Sequence, residues 1–174
     1  MFLFAVISHF AYSFAFGLSA VPFKSGIFNQ TSVIWSLAIG ATLIFAVQKH
    51  KLSGIVTVFL IILANLLSFP ADWSCIAVMV PFFLYMHRGD FKKQAIDYII
   101  FAIVYAAVYF IFIDIVYAVL QLFICLCLPL LKMYNGEVGS NKSMKWLFYI
   151  YYPAHLFLIG FIRILLYGNV NILF

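Results

Sequence analysis

Lys145-Trp146-Leu147-Phe148-Tyr149-Ile150-Tyr151-Tyr152-Pro153-Ala154-His155-Leu156 sets a proline and an imidazole inside an apolar stretch, Met144–Tyr167, that is long enough to cross a bilayer. A helix rises ~1.5 Å per residue, so a span that starts near Lys145 carries His155 about 15 Å into the membrane, close to its middle. Hydrocarbon offers an imidazole no hydrogen-bond partner. An ionisable residue at that depth is therefore a candidate for function.

The rest of the chain repeats the apolar pattern. Hydrophobic residues make up 67% of the 174, charged residues 9%, and the mean hydropathy is +1.16, more apolar surface than one water-soluble core can hide. Apolar segments lie at Phe2–Val21, Thr31–Val47, Leu52–Phe69, Ala71–Met86, Ala95–Ile113, Ile115–Leu131 and Met144–Tyr167. The alternation of a membrane barrel is missing. The expectation is an all-α polytopic integral membrane bundle of about seven transmembrane helices, forming a single domain over residues 1–174. The fourth segment is the shortest and contains Pro81. The fifth and sixth meet at Ile113-Asp114-Ile115; read as one helix, Ala95–Leu131 would be roughly 55 Å long, nearly twice the hydrocarbon thickness, so a tight hairpin around Asp114 is expected.

The ten basic residues report orientation rather than a nucleic-acid surface. Lys49, Lys51, Arg88, Lys92, Lys93, Lys132, Lys142 and Lys145 fall on one side of the predicted spans, and Lys24 alone on the other. The positive-inside rule makes the first side cytoplasmic, with the N-terminus inside and the C-terminus outside. Arg163, in the outer part of the last segment, has a stem long enough for its guanidinium to reach the interface. The first segment lacks a positive leader region and reads as retained, although Gly17-Leu18-Ser19-Ala20 has the small residues of a cleavage site. Cys75, Cys125 and Cys127 sit in apolar segments without metal-ligand spacing, so no zinc site or disulfide framework is read from them.

Four places could carry chemistry. Around His155, helical spacing puts Tyr151 and Tyr152 on the same face, and Pro153 withholds the N–H that the Tyr149 carbonyl would otherwise accept. Imidazole plus phenol can act as general base and positioning hydroxyl, or simply hydrogen-bond between helices. The loop His87-Arg88-Gly89-Asp90-Phe91-Lys92-Lys93-Gln94 gathers three cations able to meet the phosphates of a nucleotide or coenzyme; its bland reading is a topogenic loop on anionic lipid. The loop Lys132–Lys142 holds Asn135-Gly136-Glu137 and a second glycine, Gly139, and either lines a donor site or only turns the chain. Asp72, Asp97 and Asp114 lie near segment ends; Asp97 suits the positive end of a helix dipole, whereas Asp72 and the intramembrane His9 have no such local reason.

Asp72-Trp73-Ser74 and an apolar run to Tyr85, Arg88-Gly89, Tyr134-Asn135-Gly136-x-x-Gly139, and Lys145-x-x-Phe148-Tyr149-x-x-Tyr152-Pro153-x-His155-Leu156 together resemble the TraX family over nearly the whole chain. The resemblance implies a relative of the membrane protein that N-acetylates conjugative pilin, in a family distantly similar to the acyltransferase-three membrane enzymes, which use acyl-coenzyme A. It implies acetyl-coenzyme A as donor and a bacterial cytoplasmic membrane location. The partners implied are the bilayer and a pilin-like or other surface-component acceptor. Arg88, Lys92 and Lys93 would then approach the coenzyme phosphates, and His155 and Tyr152 would be catalytic, with no metal. It also implies a chain short at its N-terminus, because family members carry an Asp-His pair in helices ahead of the first one present here. The rival expectations are a non-catalytic subunit that assembles pili or other surface structures, and a small-solute transporter using His155, Asp114 and Arg163 as polar waypoints.

Overall fold

The computed structural model describes residues 1–21, 24, 26, 30–50, 52–134 and 142–168, with 142–145 and 148 followed along the backbone only. Every predicted apolar segment is helical. The helices are α1 (Phe2–Phe16), α2 (Val33–His50), α3 (Gly54–Ser68), α4 (Ile76–Met86), α5 (Phe91–Phe112), α6 (Ile115–Leu122), α7 (Leu128–Met133) and α8 (Lys142–Tyr167), with a 3₁₀ turn, Phe123–Cys127, joining α6 to α7. Among the described residues the only extended pairing is a single bridge between Thr31 and Ala71.

Four stretches are long and apolar enough to span a membrane: Val33–His50, Phe91–Phe112, Ile115–Met133 and Tyr149–Tyr167. Three helices fall short of that length. α1 stops at Phe16 because Gly17 takes a left-handed conformation (φ 68°) and closes a C-cap on the Ser13 carbonyl, before the apolar segment itself ends at Val21. α3 has 15 residues and α4 has 11. α4 starts at Ile76 rather than at Ala71 because the intervening residues form turns, with Trp73 and Ser74 both at positive φ.

The chain divides into two compact units, residues 1–78 with 139–174, and residues 79–138. In the first, α1 packs on α8 and on α2, and α2 packs on α3. Ala11, Tyr12, Ala15 and Leu156 form the buried centre of the α1–α8 contact, with Leu18 and Tyr152 packed against it. Small residues let the backbones approach: a side chain at Gly160 would collide with the Phe14 ring, and one at Gly40 would meet the Val78 backbone at 3.3 Å. The outward faces are apolar, with Ile55 86% exposed and Leu66 67%, the surface a protein presents to lipid rather than to water.

In the second unit α5 and α6 form the hairpin expected at Asp114. α5 ends at Phe112, and the Asp114 carboxylate accepts the Ile115 N–H at 2.6 Å as the N-cap of α6. The chain then returns along α5, and the Tyr98 hydroxyl donates to the Ile124 carbonyl at 3.2 Å. α5 begins with its own cap, the Asp90 side chain accepting the Lys93 N–H at 3.2 Å.

Candidate functional site

α2 is anchored across the end of α3 by side chains that satisfy carbonyls which α3 can no longer use. Trp35 Nε1 donates to the Leu67 carbonyl at 3.1 Å and Ser36 Oγ to the Ser68 carbonyl at 3.5 Å. Just outside both helices the chain pairs with itself, with Gln30 N–H donating to Pro70 O at 2.7 Å and Asp72 N–H to Thr31 O at 2.8 Å. This clamp holds the turn Asp72-Trp73-Ser74 against the start of α2.

The turn is locally strained. Trp73 has φ 62° and Ser74 φ 42°, values that side-chain-bearing residues rarely adopt, and such strain persists only where the surroundings impose it. The surroundings are visible: Asp72 Oδ1 accepts the Trp73 N–H at 3.0 Å and Ser74 Oγ donates to the Phe69 carbonyl at 3.1 Å. Burial in this turn holds the Asp72 carboxyl above the usual carboxylate range, with the Trp73 N–H opposing the shift.

Tyr152 comes from the other end of the sequence to the same place. Its phenol lies within electrostatic reach of Asp72 and approaches the Ser32 hydroxyl and the Val33 backbone N–H. Ser32 is fully buried.

His155 stands one turn further along α8. Its ring stacks on Tyr151 (centroids 5.3 Å apart, 19° between planes) and meets Tyr152 edge-on (5.2 Å, 73°). His155 Nδ1 is 3.1 Å from the Tyr151 carbonyl oxygen. A carbonyl can only accept, so in this contact Nδ1 is the donor and Nε2 is the nitrogen left without this partner. α8 continues through Pro153, so the imidazole and both phenols ride on one helix.

Arg88, Lys92 and Lys93 lie in the second unit, in the turn after α4 and the first turn of α5. Lys93 Nζ is 3.4 Å from Asp90 Oδ2. The exposed Asp90 carboxyl is held below its usual range, first by the Lys93 N–H and further by the Lys93 ammonium. The structure therefore groups His155 with Tyr151 and Tyr152 in one unit, and the three cations in the other. The turn residues Asn135, Gly136, Glu137 and Gly139 lie outside the described residues, as does Lys51.

Other polar residues acquire partners that spacing did not reveal. His9 Nε2 is 2.9 Å from the Ala20 carbonyl, so it ties down the chain that follows α1. Arg163 does not depend on the interface for a partner: its Nη2 donates to the Phe14 carbonyl at 3.0 Å. α5 begins at Phe91, so Asp97 lies beyond its first turn and not at the end where the dipole would hold it; its partner is His87, with Nδ1 to Oδ2 at 2.5 Å.

Apolar helices of spanning length, with polar groups gathered along one of them, define an integral membrane protein of the all-helical class. The family model described as TraX protein matches residues 1–163, and the chain belongs to the TraX family. No curated protein and no solved structure matches the chain.

Proposed function

We propose that this chain is a membrane acyltransferase of the TraX type that moves an acetyl group from acetyl-coenzyme A to the amine of a pilin-like or other surface-component acceptor. The observation that carries the reading is the cluster on α8 of the His155 imidazole with the Tyr151 and Tyr152 rings, their centroids 5.3 and 5.2 Å from it.

In this reading Asp72 draws the acceptor's ammonium toward the first unit, where it gives one proton to water and becomes the free amine. His155 takes the second proton, the one that leaves nitrogen as the amine attacks the thioester carbonyl, and the Tyr152 hydroxyl donates to the carbonyl oxygen as it gains charge. The C–N bond forms, the C–S bond breaks, and the thiolate of the coenzyme departs. Arg88, Lys92 and Lys93 are assigned to the coenzyme's phosphates, for which ammonium and guanidinium groups give charge-assisted hydrogen bonds. The cytoplasmic membrane, with the basic loops inside, is the compartment that gives these residues access to the coenzyme.

The test is reconstitution of the full chain in liposomes with acetyl-coenzyme A and a short peptide bearing a free N-terminal amine. Acetylated peptide appearing with free thiol in equal amount is expected. Thiol release no faster than in protein-free liposomes, from correctly inserted protein, would count against the enzyme and favour an assembly subunit.

A further inference from the structure

Arg163 lies inside a helix of spanning length, and the chemistry assigned so far does not use it. Four residues separate it from the end of α8 at Tyr167, so it sits about 6 Å short of the helix end, near the boundary between acyl chains and headgroups. A long cationic side chain at such a depth ordinarily swings its head toward water. This one is held in place. Nη2 donates to the Phe14 carbonyl at 3.0 Å, and Nη1 lies so close over Gly17 that a Cβ there would collide with it. Gly17 therefore serves twice, closing α1 at φ 68° and leaving room for the guanidinium.

Its charge is only partly answered. The first unit contains a single acid, Asp72, whose Oδ1 accepts the Trp73 N–H, and among the described residues the ion pairs are His87–Asp97 and Lys93–Asp90, both of the second unit. The C-terminal end of α1 offers Arg163 roughly half a negative charge. Even that is shared, since the Ser13 carbonyl is already taken by the N–H groups of Gly17 and Leu18. A guanidinium has five N–H donors, of which Nη2 gives one to Phe14, while Nε is buried and has no partner among the described residues. About half a positive charge is left in a setting of low dielectric, where an uncompensated cation is costly. That remainder calls for an anion.

The surroundings narrow its class. Ile159 and Leu166 stand one turn to either side of Arg163 on the same face of α8, and Phe16 precedes Gly17 on α1; all three are exposed. A soluble anion would have to leave water to reach a cation rimmed by these side chains. A phospholipid brings its phosphate to this depth while its acyl chains cover the rim. We infer that Arg163 holds the phosphodiester of an anionic phospholipid headgroup at the crossing of α1 and α8, the remaining Nη hydrogens donating to phosphate oxygens in the paired geometry that guanidinium favours. Both helices belong to the first unit, and the inference is independent of acyl transfer. A headgroup that binds the folded unit and not the unfolded chain stabilises it in proportion to its occupancy.

The experiment takes the full chain in detergent, stripped of lipid, and follows its thermal midpoint during titration with short-chain phosphatidylglycerol, short-chain phosphatidylcholine or inorganic phosphate. Wild type is expected to respond to phosphatidylglycerol at concentrations about tenfold below those of phosphatidylcholine, and to give no response to inorganic phosphate over the same range. Arg163→Gln should need about tenfold more phosphatidylglycerol for the same rise, read as the increment over its own lipid-free midpoint. A second measurement needs no variant. Phosphatidylglycerol bearing a photoreactive diazirine beside its phosphate, irradiated with wild type in nanodiscs, should label Phe16 and Leu166 well above Phe110, an equally apolar exposed position on α5. Equal midpoint responses of wild type and Arg163→Gln, or label spread evenly over the three positions, overturn the site. A wild-type response to inorganic phosphate at the same concentrations makes the ligand a soluble anion and overturns the lipid assignment.

Discussion

The guanidinium of Arg163 donates through Nη2 to the carbonyl oxygen of Phe14 at 3.0 Å, so a cation near the end of α8 closes the end of α1. The last turn of a helix carries partial negative charge and carbonyls without partners, and in a lipid setting water cannot supply them. The contact also sets the depth at which α1 lies on α8, with Gly160 and Phe14 packed at the same crossing.

Loss of that contact should loosen the first unit. Arg163→Met removes a charge-assisted hydrogen bond and is expected to cost about 2 kcal/mol. Gly160→Val, which drives a side chain into Phe14, should cost a similar amount through overpacking. Thermal unfolding in detergent checks both, and unchanged midpoints would mean that the α1–α8 crossing is not set here.

Asp72 gives a prediction in pH. Burial raises its folded pKa above the ordinary value of 3.8, so the folded state binds the proton more tightly than the unfolded chain. Stability should therefore fall as pH rises from about that value through the raised folded pKa, and then level off. Asp72→Asn keeps an acceptor for the Trp73 N–H without the charge. Above that window it is expected to be more stable than wild type and less active in acetyl transfer, by denaturation curves and the peptide assay respectively. A variant less stable than wild type at neutral pH would show that the ionised carboxylate has a partner that offsets its burial.

The helical class was legible because composition and run length determine it almost alone: each of the seven predicted segments became helix, and the hairpin at Asp114 followed from a length no single span could have. Boundaries were less legible. Gly17 ended α1 before its apolar run ended, and the residues from Ala71 to Cys75 were apolar enough to join α4 but were drawn into a turn by hydrogen bonds to Thr31 and Phe69. The neighbours of His155 could be read because they lie on its own helix at helical spacing. The Arg163–Phe14 contact and the His87–Asp97 pair could not, since each depends on which elements pack, and periodicity within one element carries no information about that.

Orientation is the next prediction. Single cysteines at Lys49, Arg88 and Lys142 should be labelled by an impermeant thiol reagent only from the cytoplasmic side, and one at Lys24 only from outside. Labelling of the Arg88 position in intact cells would reverse the topology and deprive the loop of contact with cytosolic coenzyme.

The three cations should matter as a group. Arg88→Gln, Lys92→Gln and Lys93→Gln combined removes three positive charges and should raise the acetyl-coenzyme A Kd at least about tenfold, with a shallower dependence on salt. Unchanged affinity in an inserted triple variant would leave them as orientation signals on anionic lipid.

The central claim is that His155 moves a proton in acetyl transfer, and the most direct measurement is acetylation of the amine peptide by His155→Ala and His155→Gln in liposomes, with insertion and thermal midpoint recorded for each. The account predicts that His155→Ala inserts normally and loses at least about 100-fold in rate, and that His155→Gln recovers stability without recovering rate, because an amide can hydrogen-bond but cannot accept the amine's proton. Wild-type rates in His155→Ala would contradict it.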